Sequence, residues 1–250
     1  DPLCRELYLA CREAMPGSGF ACCNVPVGAG QTTAAMAYLL RLAEEKHLRR
    51  IFVVLPHANR IAYAVQIYRQ ALTLPGEDPS LVVAELYHRA EFEASPLRGL
   101  TALWRAPIVV TTAAAFYETL ASHMPATLRR LHDLPGSAVF VDEAHAVLPL
   151  PLIPLAWHWM EELARSWSCH WLLASSSPVR FWELRGLLLS EHPTPVRDLV
   201  PEALHNCFRK WEKQRITFRL ADAPQSRDGL IRWVADAPGP RLLILNTVQS

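Results

Sequence analysis

Two adjacent carboxylates, Asp142 and Glu143, follow the apolar run Val139-Phe140-Val141 in the segment SAVFVDEAHAVL. An acid pair at the carboxyl end of a buried strand suits two tasks at once. Mg²⁺ prefers oxygen ligands and phosphates, so one acid can hold it, usually through water. The neighbouring acid can orient an attacking water and take its proton. An isolated Asp-Glu is as readily a solvated helix start, because acids are favoured in a first helical turn. A second segment upstream, FACCNVPVGAGQTTAAM at residues 20–36, favours the chemical reading.

In that segment an apolar run from Phe20 to Val25 meets the turn Pro26-Val27-Gly28-Ala29-Gly30, and a helix-forming stretch opens at Gln31-Thr32-Thr33. Strand, glycine turn and helix N-terminus together cradle phosphate groups. Successive backbone N–H groups point into the turn, and the helix end adds partial positive charge. The standard phosphate loop reads G-x-x-x-x-G-K-[ST]. Here Val25 stands at its first glycine and Gln31 at its lysine. The loop keeps its backbone donors and lacks its cation.

Both groups need a scaffold that gathers the ends of separate strands. Apolar runs at residues 51–56, 81–86, 106–112 and 169–177 supply further strands. Helical periodicity at residues 3–15, 33–45, 61–72, 113–122, 125–131 and 155–167 alternates with them. In the last of these Trp157, Met160, Leu163, Ala164 and Trp167 share one face, a stripe that reads as core packing. The alternation predicts an α/β fold, a doubly wound and mostly parallel sheet with right-handed crossovers. Ligands gather at the carboxyl edge of such a sheet. Residues 26–33, the acids at 142 and 143, and the serines at 175–177 can converge there. Residues 186–211 carry a weaker pattern, broken by Pro193, Pro195 and Pro201. Segments RITFRL (215–220), DGLIRWVADA and RLLILNT (241–247) then begin a new β-α-β unit.

The 250 residues are 51% apolar with a net charge of +1, a globular composition and not a disordered one. Such a charge gives no global pull toward nucleic acid, so binding of that kind needs local patches. The longest apolar runs are strand-sized, far short of a membrane span. The cysteines at 4, 11, 22, 23, 169 and 207 form no C-x-x-C pair and no zinc spacing, which predicts reduced thiols in a cytoplasmic protein. The chain has neither a starting methionine nor a signal pattern, so its first residue is expected to lie inside a longer protein.

Read in order, these segments resemble the motifs of a superfamily 2 helicase. GAGQTT resembles the phosphate loop, LPHAN at 55–59 the first DNA-contact motif, and VVTT at 109–112 the later one. VDEAH is the acid motif, ASSSP at 174–178 stands at the coupling motif, and ILNT at 244–247 resembles the opening of a second RecA-like domain. The spacing, with PGSAVFVDEAHA and PRLLILNTVQ, is most similar to the CRISPR-associated helicase-nuclease of type I systems.

That resemblance implies a RecA-like P-loop NTPase domain at 1–211 and the start of a second at 212–250. It implies ATP and Mg²⁺ as cofactors, single-stranded DNA as track, and recruitment by a guide-RNA surveillance complex in antiviral defence. Val27, Gly28, Ala29, Gly30, Gln31, Thr32 and Thr33 would hold the phosphates, with Thr32 and Asp142 at the metal. Asp142, Glu143 and Gln31 make up the implied catalytic set. Pro56, His57, Asn59, Thr111 and Thr112 would lie along the nucleic-acid backbone. His145, Ser175, Ser176 and Ser177 would couple nucleotide state to the second domain. Trp104 and Arg105 either share the DNA face or are an ordinary partly buried Trp beside a solvated Arg. His132-Asp133 lies in a Leu-Pro-Gly linker without partner ligands and reads as surface. The arginine finger and the histidine-aspartate nuclease would lie beyond these residues.

Three departures set this chain apart from the family pattern: the glutamine at 31, the Ser-Ser-Ser run, and the end of the chain after the second domain's first motif. They leave two other readings open, another DEAH-type helicase or a non-hydrolysing lobe that binds nucleic acid or protein.

Overall fold

The computed structural model describes residues 1–17, 19–86, 104–177, 179–190, 194–217, 226–236, 238–240 and 242. The chain divides into two compact units, Asp1–Trp211 and Glu212–Ser250. The expected strands at 215–220 and 241–247, including ILNT, lie mostly outside the described residues.

The first unit is built on a seven-stranded sheet: β1 Phe20–Asn24, β2 Arg50–Leu55, β3 Val83–Leu86, β4 Ile108–Thr112, β5 Ser137–Val141, β6 His170–Ser175 and β7 Val196–Asp198. Their order is β3-β4-β2-β5-β6-β1-β7, and every described pairing is parallel. Parallel neighbours need crossovers, and the helices provide them. Between strands lie α2 Gln31–Glu45, α3 Ile61–Leu72, α4 Ala113–Ala121 and α5 Ile153–Trp167, whereas α1 Pro2–Glu13 precedes β1 and α6 Glu202–Arg215, whose last residues belong to the second unit, follows β7. The expectation of an α/β, doubly wound RecA-like sheet holds. In the second unit the described residues include α7, Arg227–Asp236.

The central strands are buried on both faces, which is why they read as unbroken apolar runs. Alternate residues feed two cores. Cys23, Val53, Val110, Phe140 and Leu172 join Leu7, Leu39 and Val65 on one side. Phe20, Phe52, Val139 and Trp171 join Phe116, Trp157 and Met160 on the other. The second core is aromatic, and Trp104 lies within it, fully buried and stacked on Phe116 at 5.6 Å. Trp104 therefore does not belong to a DNA-facing surface; only Arg105 is exposed.

Local chemistry sets the ends. Asp1 caps α1 by accepting from the N–H of Leu3 at 2.9 Å, with proline in the first turn where its missing N–H costs nothing. Pro154 likewise sits in the first turn of α5. LVVAEL begins as a helical turn, Pro79–Val82, because Asp78 accepts from the Ser80 N–H, so the strand starts only at Val83. Asp133 is paired with Arg50 at 2.8 Å, both side chains largely buried, so it is not the surface acid expected; His132 is exposed.

Candidate functional site

Because the strands are parallel, the segments following β1, β2, β4, β5 and β6 all emerge at one edge. Registry aligns them: Asn24 sits beside Ser175, Leu173 beside Val141, and Val54 beside both Val141 and Thr111. A cleft of about 390 Å³ opens there, lined by the glycine turn, the start of α2, the α3 face and the acid pair.

The turn after β1 closes through the N–H of Ala29 donating to the carbonyl of Pro26 at 3.1 Å. Gly28 and Gly30 have φ of +86° and +83°, a left-handed backbone that L side chains resist. A Cβ on Gly30 would sit 3.5 Å from that of Cys4, so conformation and not space demands glycine there. Gly30 is also the N-cap of α2, with no side-chain cap, leaving the first N–H groups of that helix free to face the cleft. Thr32 and Thr33 are exposed in it.

Gln31 is turned another way. Its Nε2 donates to the carbonyl of Cys23 at 2.6 Å and to that of Ser175 at 3.0 Å. The side chain that stands at the lysine position thus ties α2 to the ends of β1 and β6.

Asp142 is 6% exposed, and its N–H donates to the carbonyl of Val54 at 3.0 Å. Burial pushes its carboxyl above the usual range; nearby Arg60 opposes the shift and Glu143 adds to it. The Arg60 guanidinium lies 3.3 Å from Asp142 Oδ2. Among the described residues lining the cleft, Arg60 carries the only side-chain positive charge.

Glu143 has φ +50°. The left-handed backbone costs a non-glycine residue roughly 1–2 kcal/mol. Three contacts hold it: the Ser176 N–H donates to Oε2 at 3.1 Å, and the Ser176 hydroxyl lies 2.8 and 3.0 Å from its two oxygens. His145 Nδ1 is 2.7 Å from Ser175 Oγ, which also accepts from the Ser177 N–H at 3.0 Å. The acids lie in a turn, with the Ala146 N–H donating to the Glu143 carbonyl at 2.7 Å, so the pair does not open a helix.

The other positions divide. His57 and Asn59 are exposed after β2, and Pro56 is half-buried. Thr111 is fully buried, and Thr112 uses its hydroxyl to cap α4, accepting from the Ala115 N–H at 3.1 Å. Val27 is exposed and Ala29 buried. Sequence reasoning passed over two residues. Asn24 is buried at the end of β1 with neither side-chain polar atom partnered among the described residues. Arg60 ends the 3₁₀ turn Ala58–Arg60 that leads into α3, where the helix dipole disfavours a cation, and that placement was the available signal.

The residues present fit a magnesium nucleotide. There is a cleft of suitable size, a turn and helix end with unspent N–H groups, a hydroxyl at Thr32, and a buried carboxylate facing the same space.

No family model matches the sequence, and no curated protein is significantly similar to it. Solved structures do match. The T. fusca Cas3–AMPPNP structure superposes with a TM-score of 0.54 at 21% identity, covering 68% of this chain and 21% of that one. The helicase domain of Pyrococcus furiosus Hef gives 0.51 at 19%, over 81% of this chain and 39% of that one. The helicase MrfA bound to DNA gives 0.54 at 12%, over 78% and 27%. The fold is the one these helicase domains share. T. fusca Cas3 also matches in its ATP and ADP forms. This chain spans only a minor part of each of these proteins.

Proposed function

We propose that residues 1–211 form the first ATP-binding lobe of a superfamily 2 helicase or translocase, and that residues 212–250 begin a second RecA-like domain. One observation carries the reading: the glycine turn, a buried Asp142 and a Glu143 held by Ser176 all border one cleft at the carboxyl edge of a parallel sheet. Bound Mg²⁺·ATP would supply the phosphoanhydride to be cleaved and a metal to neutralise its charge. The N–H groups of Val27, Gly28, Gly30, Gln31, Thr32 and Thr33 hold the phosphates, Gly28, Ala29 and Gly30 giving the backbone its shape, with the Ala29 N–H closing the turn on Pro26. The Thr32 hydroxyl and Asp142 hold the metal. Glu143 orients the water and accepts its proton, with Ser176 fixing the direction of the carboxylate. His145, Ser175 and Ser177 join the acid turn to the end of β6, so a change at Glu143 is passed to the chain that follows.

Pro56, His57, Asn59, Thr111 and Thr112 lie along the track of a nucleic-acid backbone. Thr111 is fully buried and paired to both β2 and β3, and Thr112 spends its hydroxyl on capping α4, so the exposed His57 and Asn59 make the contact, suited to gripping single-stranded DNA without reading its sequence. The motif phrasing, together with the likeness to Cas3, supports a cytoplasmic type I CRISPR interference helicase recruited by a guide-RNA surveillance complex. The likeness to Hef and MrfA keeps other DEAH-type helicases as the alternative. A specific observation favours slow turnover: the Gln31 donor is spent on two carbonyls, and losing one stabiliser of developing charge costs on the order of 10²-fold in rate. Taken to its limit this is a lobe that binds and does not hydrolyse.

Calorimetric titration of Mg·ATP into the chain tests the reading. Saturable binding, tightened by Gln31→Lys and weakened by Asp142→Ala, is expected. Absence of binding by the chain and by its Gln31→Lys variant rejects the nucleotide site.

A further inference from the structure

We propose that Arg60 supplies the phosphate site with the positive charge that position 31 lacks, its guanidinium donating to the phosphates of a bound nucleoside triphosphate. This rests on the nucleotide reading above and names the residue that replaces the lysine.

Three observations lead to it. The Gln31 amide nitrogen already donates to the carbonyls of Cys23 and Ser175, so it neither carries charge nor directs its donor into the cleft. Arg60 lines that cleft with Thr32 and Asp142 and places one guanidinium nitrogen 3.3 Å from Asp142 Oδ2, beside the expected metal position. Its side chain is 52% exposed, and its described partner is that single carboxylate. A guanidinium offers five N–H donors in a planar fork that matches phosphate oxygens, so most of this group's capacity is unspent. Its placement is otherwise unfavourable. Arg60 closes the 3₁₀ turn Ala58–Arg60 that runs straight into α3, so it sets a positive charge in the first turn of a helical stretch, toward the positive end of its dipole. A negatively charged ligand in the cleft would turn that cost into a gain. The loop has moved its cation from the first turn of α2 to the entrance of α3.

A double-mutant cycle tests the proposal by calorimetric titration of Mg·ATP into the chain and its Arg60→Ala, Gln31→Lys and doubly substituted forms. A lost charge-assisted contact weakens binding by about 10- to 100-fold in Arg60→Ala. With lysine at 31 the same substitution should cost less than about threefold, because either cation can serve the phosphates. Arg60→Lys, which keeps charge and the pairing to Asp142, should retain most of the affinity and the parent's thermal midpoint. Unchanged or tighter binding by Arg60→Ala overturns the proposal and makes Arg60 a placeholder on Asp142. Equal losses in both backgrounds also overturn it, since the loss would then come from leaving Asp142 unpaired. No binding by the parent with clear binding by Gln31→Lys overturns this proposal alone, and no binding by either overturns the nucleotide reading with it, whereas the two preceding results leave that reading standing.

Discussion

Replacing Gln31 by glutamate keeps the size and shape of the side chain and reverses the chemistry of the atom facing Cys23 and Ser175. The amide nitrogen donates to those carbonyls at 2.6 and 3.0 Å. A carboxylate oxygen in its place is an acceptor aimed at two acceptors. Two hydrogen bonds at about 1 kcal/mol each are lost, and the acceptor contacts bring the total to roughly 3 kcal/mol. For a domain of this size that is a fall in midpoint of roughly 6–12 °C. The carboxyl can recover one bond by keeping its proton, which raises its folded pKa above the unfolded value of about 4.3. A raised folded pKa means stability present at low pH and lost as pH rises through it, so the deficit of the Gln31→Glu variant grows from pH 5 to pH 8. Gln31→Ala is milder, about 1–2 kcal/mol, because the carbonyl of Ser175 still accepts from the Val25 N–H at 3.2 Å. Gln31→Lys keeps a donor and stays within about 1 kcal/mol of the parent. Urea denaturation of the series at both pH values reads the order. If Gln31→Glu unfolds at the parent's midpoint at pH 8, the tether between α2 and the two strand ends does not exist.

Three further outcomes follow from the site and the core. Metal binding at Asp142 would need the ionised carboxyl, so Mg·ATP affinity should fall on acidification, beginning above the ordinary carboxyl value of 3.8, because burial lifts this group. Titrations across pH on the parent and on Asp142→Asn, whose profile should be flatter, check this. Ser176→Ala removes one hydroxyl from Glu143 and leaves the 3.1 Å bond from the backbone N–H, so a loss of about 1 kcal/mol is expected by urea denaturation. Trp104→Ala should cost about 3–5 kcal/mol in stability, while Arg105→Ala changes it by less than about 0.5 kcal/mol; equal small effects on thermal unfolding would place Trp104 outside the core.

The glycine turn and the acid pair were legible because each joins an unbroken apolar strand to a sharp local signal, glycines in one case and adjacent carboxylates in the other. Parallel pairing then fixed their meeting at one edge. Helix α6 was missed because only Leu204 and Phe208, four residues apart, are buried along it, too thin a stripe to rise above its charged residues. Strand β7 escaped notice because its three residues lie at the end of the strand order and none is buried. Trp104 sat in a polar, basic stretch, and neighbouring residues say little about a ring that packs on Phe52 and Phe116 from a distant segment. The direction of Gln31 and the reach of Arg60 to Asp142 depend on which strand ends lie side by side. Local pattern carries no information of that kind.

The central claim is that Thr32 and Asp142 flank the metal of a bound nucleotide. Crystals of this chain grown with Mn²⁺ and a non-hydrolysable ATP analogue test it through the anomalous signal of the metal. The expected result is one Mn²⁺ ion at the Thr32 hydroxyl, within a water's reach of Asp142, with the phosphates in the Gly28–Gly30 turn. A nucleotide bound elsewhere, or Mn²⁺ away from both residues while the analogue occupies the cleft, would contradict it.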